Sequence, residues 1–383
     1  MDSIYLDHAA ATPVRPEVRA CVSEALVHLG GNASGGHLWG RQARAALEEA
    51  RERVAGVLHT RRERVRFVSG GTESINLAIL GRVDWARQQG KTPIRLIRSA
   101  IEHSAVQNSM ESARLDGAGV EVLPVQPNGH VSLPEDDELR SGQILLTSIQ
   151  WVNQETGLIL PVREIAERCR VAGVPLHVDA VQAVGKIPVR LDDTPIDFLS
   201  ISGHKLGGPR STGVLIVSDE VEVRPRLFGG GQEGGLRPGT EDVAGAVGFT
   251  LGLELSAGAE GEAARLTSLR QRLEDDLAAS IPGLKIHCQE GSRAPHISNF
   301  GVPGLAKDVL VGALDLEGIG VSAGSACRSG STSTSPVLRA LYSTDAERFA
   351  PMRLSLGWST TAEEVDDATR RIPPIIARIR STT

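Results

Sequence analysis

Lysine is nearly missing from this sequence: its 383 residues hold five lysines against 36 arginines. A GC-rich genome is the bland cause, yet the scarcity makes each lysine easier to judge. Cysteine is scarce too. Cys21, Cys169, Cys288 and Cys327 stand far apart, with no CxxC pair and no Cys/His spacing of a zinc site, and the ten histidines are equally scattered. No apolar run approaches the ~18 residues of a membrane span. The first residues, Met1-Asp-Ser-Ile-Tyr-Leu-Asp7, are acidic where a signal peptide is basic and then apolar. These absences point to a cytoplasmic protein with reduced thiols. With 41 basic against 47 acidic residues, a net of −6, no overall positive field is available for phosphates. That argues against a general nucleic-acid or membrane binder.

What is present is a pattern. Apolar, β-rich runs at 65–68, 94–97, 120–125, 144–149, 176–178, 198–201 and 214–217 alternate with amphipathic stretches such as 71–88 and 162–172. Such alternation predicts an α/β fold with a mostly parallel sheet covered by helices on both faces. After about residue 245 the texture changes. A long helical stretch over 242–277 leads to short strands near 284–288, 296–300, 320–325 and 352–356. The last helix opens with the capping-box pattern Thr361-Ala-Glu-Glu364 and is expected to end at Pro373-Pro374. We expect a large domain over 15–258, and a smaller α+β domain made of 1–14 and 259–383. The ligand should bind between them, at the carboxyl ends of the strands.

The polar clusters sit where strands end. Val68-Ser-Gly-Gly-Thr72 is a strand followed by a Gly pair and a helix start, a backbone cradle suited to a phosphate. Alone it is weak, since such turns are usually structural. His177-Val-Asp179 ends another strand, and its Asp could equally be a helix cap. Ser202-Gly-His204-Lys205 follows a third strand, and among so few lysines one beside a His at a strand end is improbable as surface decoration. An Asp that keeps a ring nitrogen protonated, plus a Lys that can form an imine, is the minimal equipment for pyridoxal 5'-phosphate.

Across nearly its whole length the sequence resembles the class V aminotransferase group of pyridoxal-phosphate enzymes, specifically the cysteine desulfurases. The matching segments include Tyr5-Leu-Asp-His-Ala-Ala-Ala-Thr-Pro13, Ser69-Gly-Gly-Thr-Glu-Ser74, Glu102-His103, Asn153-Gln-Glu-Thr-Gly157 and His177-Val-Asp-Ala180 with Gln182. They continue with Ser202-Gly-His-Lys205, Gly229-Gly-Gly-Gln-Glu233, Arg237-Pro-Gly-Thr240, Gly324-Ser-Ala-Cys327 and Met352-Arg-Leu-Ser-Leu-Gly357. The resemblance implies the fold-type I architecture of pyridoxal-phosphate enzymes and a homodimer. It implies that Lys205 carries the cofactor and later moves the α-proton of L-cysteine. Asp179 pairs with the pyridine nitrogen, Gln182 contacts the ring hydroxyl, and His103 stacks on the ring and serves in acid–base steps. Gly71, Thr72, Ser202 and His204 hold the phosphate, with Thr240 reaching across from the neighbouring subunit. Arg353 forks the substrate carboxylate, a task suited to its rigid bidentate geometry. Cys327 is the nucleophile that takes the sulfur as a persulfide and passes it to an acceptor protein. Absent the resemblance, His103 would be read as a satisfied structural histidine and Arg353 as a surface charge.

The residues around Cys327 agree. They are small and polar, from Ser322 to Thr334, and Arg328 alongside would favour the reactive thiolate. Cys21 and Cys169 fall on helical apolar faces and are read as core thiols, and Cys288 follows an expected strand. Three positions depart from the family pattern. Gln154 stands for Asn, placing its amide one methylene further from the ring hydroxyl it would contact. Gly71 stands for Ala, and Gly234 for an Arg near the entrance. The sequence around Cys327 and the short tail after the last helix look most like the desulfurase of DNA phosphorothioation systems (the DndA type). A general desulfurase for iron–sulfur clusters or tRNA thiolation is the close alternative. A selenocysteine lyase or a simple aminotransferase would keep Lys205 and Asp179, but a transaminase has no need of Cys327.

Overall fold

The computed structural model describes residues 3–324 and 335–382. Cys327 and its neighbours in 325–334 lie outside the described residues. A short strand, β1 (Ile4–Tyr5), opens the chain, and the apolar runs expected from the sequence then become seven strands. These are β2 (Val65–Val68), β3 (Arg95–Ser99), β4 (Gly119–Leu123), β5 (Ile144–Gln150), β6 (Leu176–Asp179), β7 (Phe198–Ser202) and β8 (Gly213–Val217). They form one sheet in the order β2-β8-β7-β6-β5-β3-β4. Only β8 runs antiparallel to its neighbours, β2 and β7. The other pairings are parallel. Every residue of β5, β6, β7 and β8 is buried, which is why these strands are rich in apolar residues on both faces.

The sheet is stitched by polar side chains inside that apolar interior. The Ser148 hydroxyl lies 2.7 Å from His177 Nδ1, and His177 Nε2 lies 2.9 Å from the Ser200 hydroxyl. Ser74, on the helix Gly71–Gln88, donates to Ser200 at 2.7 Å. The chain therefore crosses β5, β6 and β7 and ends on the covering helix. Burial drives the His177 pKa down to about 3, so the imidazole is a neutral relay of hydrogen bonds.

A second core lies in the last third of the chain. Ile4 and Leu6 pack with Leu273, Leu277, Phe300, Leu310, Met352, Val365, Ile372 and their neighbours. Its strands are β9 (Lys285–Ile286), β10 (Ile297–Pro303), β11 (Ile319–Gly320) and β12 (Phe349–Ser355). β10 is central, antiparallel to both β9 and β12, while β1 pairs in parallel with β11. Not every late residue belongs to this core: Cys288, Ala294, Val337 and Leu341 pack with the large sheet instead.

Two helical expectations need correction. The stretch 242–277 is two helices, Val243–Ala257 and Glu262–Ser280. They are parted by Gly258 and by Gly261, whose φ of +77° no helix interior accepts. The last helix does not stop at Pro373-Pro374 but runs from Ala362 to Thr382 with both prolines inside. An interior proline costs about 3 kcal/mol through its missing N–H and ring clash. Against that, Ile372, Ile375, Ile376 and Ile379 are all buried on one face of this helix. Each contributes about 1.5–3 kcal/mol, enough to carry the helix through while both prolines face away from the core.

The capping box expected at the start of this helix does form. The Thr361 N–H donates to the Glu364 carboxylate at 2.9 Å, and the Glu364 N–H donates to the Thr361 hydroxyl at 3.1 Å. Thr361→Ala should therefore destabilise the protein by about 1 kcal/mol. A urea-melt midpoint that does not move would show that the cap contributes nothing.

Candidate active site

Because β2, β3, β5, β6 and β7 all point the same way, their carboxyl ends lie along one edge, and the sequence places a polar cluster after each. Val68 at the end of β2 leads to Ser69 and Gly70 and then to the helix Gly71–Gln88. Gly70 adopts φ +146° and ψ −177°, a conformation essentially closed to any residue with a side chain. It turns the chain so that the helix's first N–H groups open onto the strand edge. Glu73 reaches back to the Ser69 N–H at 2.5 Å, which fixes the turn. A Cβ on Gly71 would stand 2.9 Å from Val181 Cγ2, so the backbone there is packed closely against the residue after Asp179-Ala180. Thr72 is exposed beside it.

Asp179 closes β6 and is buried. Its carboxylate accepts from the Val181 N–H at 3.0 Å, the local contact a cap-like Asp would make. Burial raises its pKa, and the charges of His103 and Lys205 pull it back. His103 follows β3 and caps the helix Ser104–Leu115, its Nδ1 accepting the Ala105 N–H at 3.1 Å. That bond leaves the ring proton on Nε2, and burial lowers the pKa of the ring. Ser202 closes β7, and its hydroxyl lies 2.7 Å from His204 Nδ1. Burial, with Lys205 beside it, holds the His204 pKa down at about 4. Thus Asp179, His103, Lys205, Ser202 and His204 share one neighbourhood, with Gly71 and Thr72 at its rim.

Lys205 is met by the N-terminal segment. Its Nζ donates to the carbonyls of Ala9 and Ala10, each at 2.6 Å, and the Thr12 hydroxyl donates to the Lys205 carbonyl at 3.3 Å. Gln182 is held here as well: it donates to the Ala9 carbonyl at 2.8 Å, and its Oε1 lies 3.2 Å from His296 Nε2. Three residues before Ala10, Asp7 pairs with Arg353 at 2.6 Å. Arg353, on β12, is buried, donates to the Gln154 carbonyl at 2.8 Å, and leaves its Nε without a partner. The segment from Asp7 to Ala10 therefore joins the lysine of the large sheet to the arginine of the second core.

The remaining sequence candidates take different places. Gln154 meets Arg353 through its carbonyl, and its side chain is half-buried. Thr240 is exposed, on a segment fastened by Glu233. The Glu233 carboxylate takes a bidentate pair from Arg51 at 2.7 and 2.8 Å and the Phe67 N–H of β2 at 2.8 Å. Next to it, the Arg66 guanidinium stands 3.1 Å from where a Cβ on Gly234 would project, so a cation is supplied there from β2. Cys169 and Cys288 are buried, as core thiols should be. Cys21 is only half-buried, because its place on the helix Pro16–His28 lies at the edge of the packed face.

Three of the four other lysines are occupied or withdrawn, and the fourth, Lys307, is half-buried at the start of the helix Lys307–Leu316. Lys91 lies 4.5 Å over the Trp85 ring and Lys285 4.2 Å over the Tyr342 ring. Lys186 donates to the Lys205 carbonyl at 3.3 Å, and burial lowers its pKa to about 8.

Sequence reasoning missed three residues. Asp7 and Glu155 lie inside quoted motifs but find their partners 346 and 180 residues away. Glu102, beside His103, is buried and takes the Ser99 hydroxyl and the Gln150 N–H on Oε1, while Oε2 has no partner.

The donor set fits pyridoxal phosphate: an amine at a strand end, a buried carboxylate, an imidazole, and a glycine-built helix N-terminus flanked by a hydroxyl. The profile of the aminotransferase class-V family matches residues 4–367. The chain belongs to that family of pyridoxal-phosphate enzymes. It is 35% identical to the putative cysteine desulfurase IscS 1 of Bacillus subtilis, over 99% of this chain and all of that one. Among solved structures it resembles a NifS-like protein, with a TM-score of 0.88 and 31% identity, over 98% of this chain and all of that one. It also resembles DndA from Streptomyces lividans, with a TM-score of 0.72 and 34% identity, over 89% of this chain and 96% of that one. Within the family it falls among the cysteine desulfurases.

Glu102 gives a pH signature. Burial, aided by the charge of Asp179, pushes its pKa up to about 8, far above its ordinary value. The folded protein thus binds a proton that the unfolded chain releases near pH 4.5, so this group's contribution to stability falls as pH rises toward 8. Glu102→Gln, which copies the protonated form, should gain stability over the wild type progressively between pH 5 and 8. A difference in Tm that stays constant across that range would contradict the assignment.

Proposed function

We propose that the chain converts L-cysteine to L-alanine and keeps the sulfur as a persulfide on Cys327 for delivery to an acceptor protein. The observation that carries this is the Asp7–Ala10 segment, which holds Lys205 and Arg353 within one site. The amine that would carry the cofactor and a guanidinium for the substrate's carboxylate are then presented together. Bound pyridoxal phosphate supplies an electron sink for the negative charge that forms at the substrate's α-carbon. Thr72, Ser202, His204 and the Gly71 N–H hold its phosphate, and Asp179, Gln182 and Gln154 contact its ring.

The protein's own groups do the rest. Arg353 binds and orients the cysteine carboxylate, its unpartnered Nε offering a donor that Asp7 and Gln154 leave over. Lys205 would take the α-proton as its neutral amine, oriented by the Ala9 and Ala10 carbonyls to which its Nζ donates. His103, its Nδ1 taken by the Ala105 N–H, is placed to move a proton at Nε2. The Cys327 thiolate attacks the substrate sulfur. The S–S bond forms as the C–S bond breaks, and the electron pair and a proton stay with the carbon that becomes the alanine methyl. Cysteine and the enzyme thiol give alanine and an enzyme persulfide, so no outside oxidant is needed.

We place the cofactor-binding part at 15–258 and the part carrying Arg353 and Cys327 at 1–14 and 259–383. The separate core of Ile4, Leu6 and residues from Leu266 to Ile379 supports this division, although Cys288, Ala294, Val337 and Leu341 pack on the large sheet. We also propose a homodimer in which Thr240 serves the neighbouring subunit, supported by its exposure on a segment pinned to β2. For the acceptor we favour a protein of DNA phosphorothioation, supported by the likeness to DndA. A scaffold of iron–sulfur assembly is the second reading, supported by the likeness to IscS 1. Capture of partners by the persulfidated enzyme from its native extract separates the two.

Arg353→Ala should weaken cysteine binding about 10- to 150-fold, the loss of a buried charged hydrogen bond, while the visible cofactor band persists. Loss of the band would move Arg353 into the cofactor site. Cys327→Ser should bind cysteine with a spectral change but release no alanine under multiple turnover. Cys21→Ser, Cys169→Ser and Cys288→Ser should remain active, and the wild type should carry its extra sulfur on the Cys327 peptide. Lys205→Ala should lose both the band and turnover; a borohydride-fixed label on Lys186 or Lys285 would refute the assignment.

A further inference from the structure

The turn after β5 holds more than Arg353. Asn153 donates to the Ile101 carbonyl at 3.1 Å, and its Oδ1 accepts from the Glu155 and Thr156 N–H groups at 2.9 and 2.8 Å. Asn299 on β10 donates to the Glu155 carbonyl at 3.0 Å. The Glu155 backbone is thus fixed from both cores, and its side chain is buried.

That side chain meets two points far along the chain. The Ser335 hydroxyl donates to Glu155 Oε2 at 2.5 Å while accepting the Leu338 N–H at 3.2 Å, as the cap of the helix Pro336–Tyr342. Gly324, at φ +90°, lies so close that a Cβ there would stand 3.0 Å from the same oxygen. Gly324 donates to the Ser322 hydroxyl at 3.1 Å, and Ser322 exchanges both backbone hydrogen bonds with Arg353, at 2.7 and 3.2 Å. The circuit closes through the Gln154 carbonyl, which accepts from Arg353. Residues 324 and 335 bracket the segment that carries Cys327.

We propose that Glu155 is a positioning residue for sulfur transfer: one buried carboxylate, hydrogen-bonded to Ser335 and packed against Gly324, holds these two residues in place relative to Arg353. Burial pushes the Glu155 pKa up, while the Ser335 hydroxyl and the Arg353 and Lys307 charges pull it down. Opposing pulls of this kind suit a carboxylate that is kept for its geometry. Glu155 reaches Arg353 only through the neighbouring Gln154 carbonyl and through its charge, so its loss should slow sulfur arrival more than it weakens cysteine binding. The proposal rests on Cys327 being the nucleophile.

The test uses the holoenzyme and follows three readouts in a single turnover: the visible cofactor band, the spectral change on adding L-cysteine, and the rate at which extra sulfur reaches the Cys327 peptide. Glu155→Ala should keep the band and bind cysteine within about threefold, yet slow sulfur arrival about 10- to 100-fold, the scale of a misplacement near 1 Å. Glu155→Gln retains an acceptor for Ser335 and should recover most of that rate. Should Glu155→Ala fail to fold, Ser335→Ala reports the same separation on a smaller scale. An unchanged sulfur-transfer rate in these variants would overturn the proposal. So would a loss of band, binding and transfer in equal proportion, which marks a merely structural role. Extra sulfur on another cysteine of the wild type would instead remove Cys327 as nucleophile, a failure distinguishable from that of Glu155.

Discussion

A carboxylate kept almost out of water at the end of β6 is the constraint around which this molecule is arranged. An isolated buried carboxylate would take up a proton, and Asp179 is drawn toward that state by its burial. What opposes this is the positive charge of Lys205, an imidazole at the end of β3, and one N–H from the next turn. Each comes from a different strand end, so the electrostatics are only possible because five strands stop along one edge. The buried Ser148–His177–Ser200–Ser74 chain belongs to the same logic. It holds β5, β6 and β7 in register from within, and a slip of one residue would take Asp179 off the edge and unpair the imidazole.

The second core contributes Arg353 to this edge. Its guanidinium is buried, and buried arginine is tolerated only when its donors are met. Asp7 and the Gln154 carbonyl meet two of them, from opposite sides of the molecule in sequence terms. The arginine is thus anchored at two of its nitrogens, while Nε stays buried without a partner. The N-terminal segment is therefore a structural tie as much as a first strand, since Leu6 sits in one core while Ala9 and Ala10 receive Lys205.

Local pattern revealed the sheet well. β2 and the helices Gly71–Gln88 and Val162–Ala172 have the bounds that apolar spacing, a glycine turn and a cap imply. The clusters at strand ends could be found because topology puts strand ends together. What stayed hidden depends on distance in the chain. Nothing near Asp7 announces Arg353, and nothing near Glu155 announces Ser335. Pro373 and Pro374 misled for a related reason: a helix stop is a local signal, whereas the isoleucines that override it draw their energy from a core assembled by the whole domain.

The shortage of lysine has a consequence for the chemistry of loading. Pyridoxal phosphate is an aldehyde and condenses with any accessible amine, so most proteins offer it a crowd of unproductive positions. Here Lys91 and Lys285 lie over aromatic rings, and Lys186 is turned inward against the backbone of Lys205. With four lysines besides Lys205, a free aldehyde meets few competing lysine amines. Arginine carries most of the positive charge in place of lysine, 36 against five, and does not offer an amine to the aldehyde.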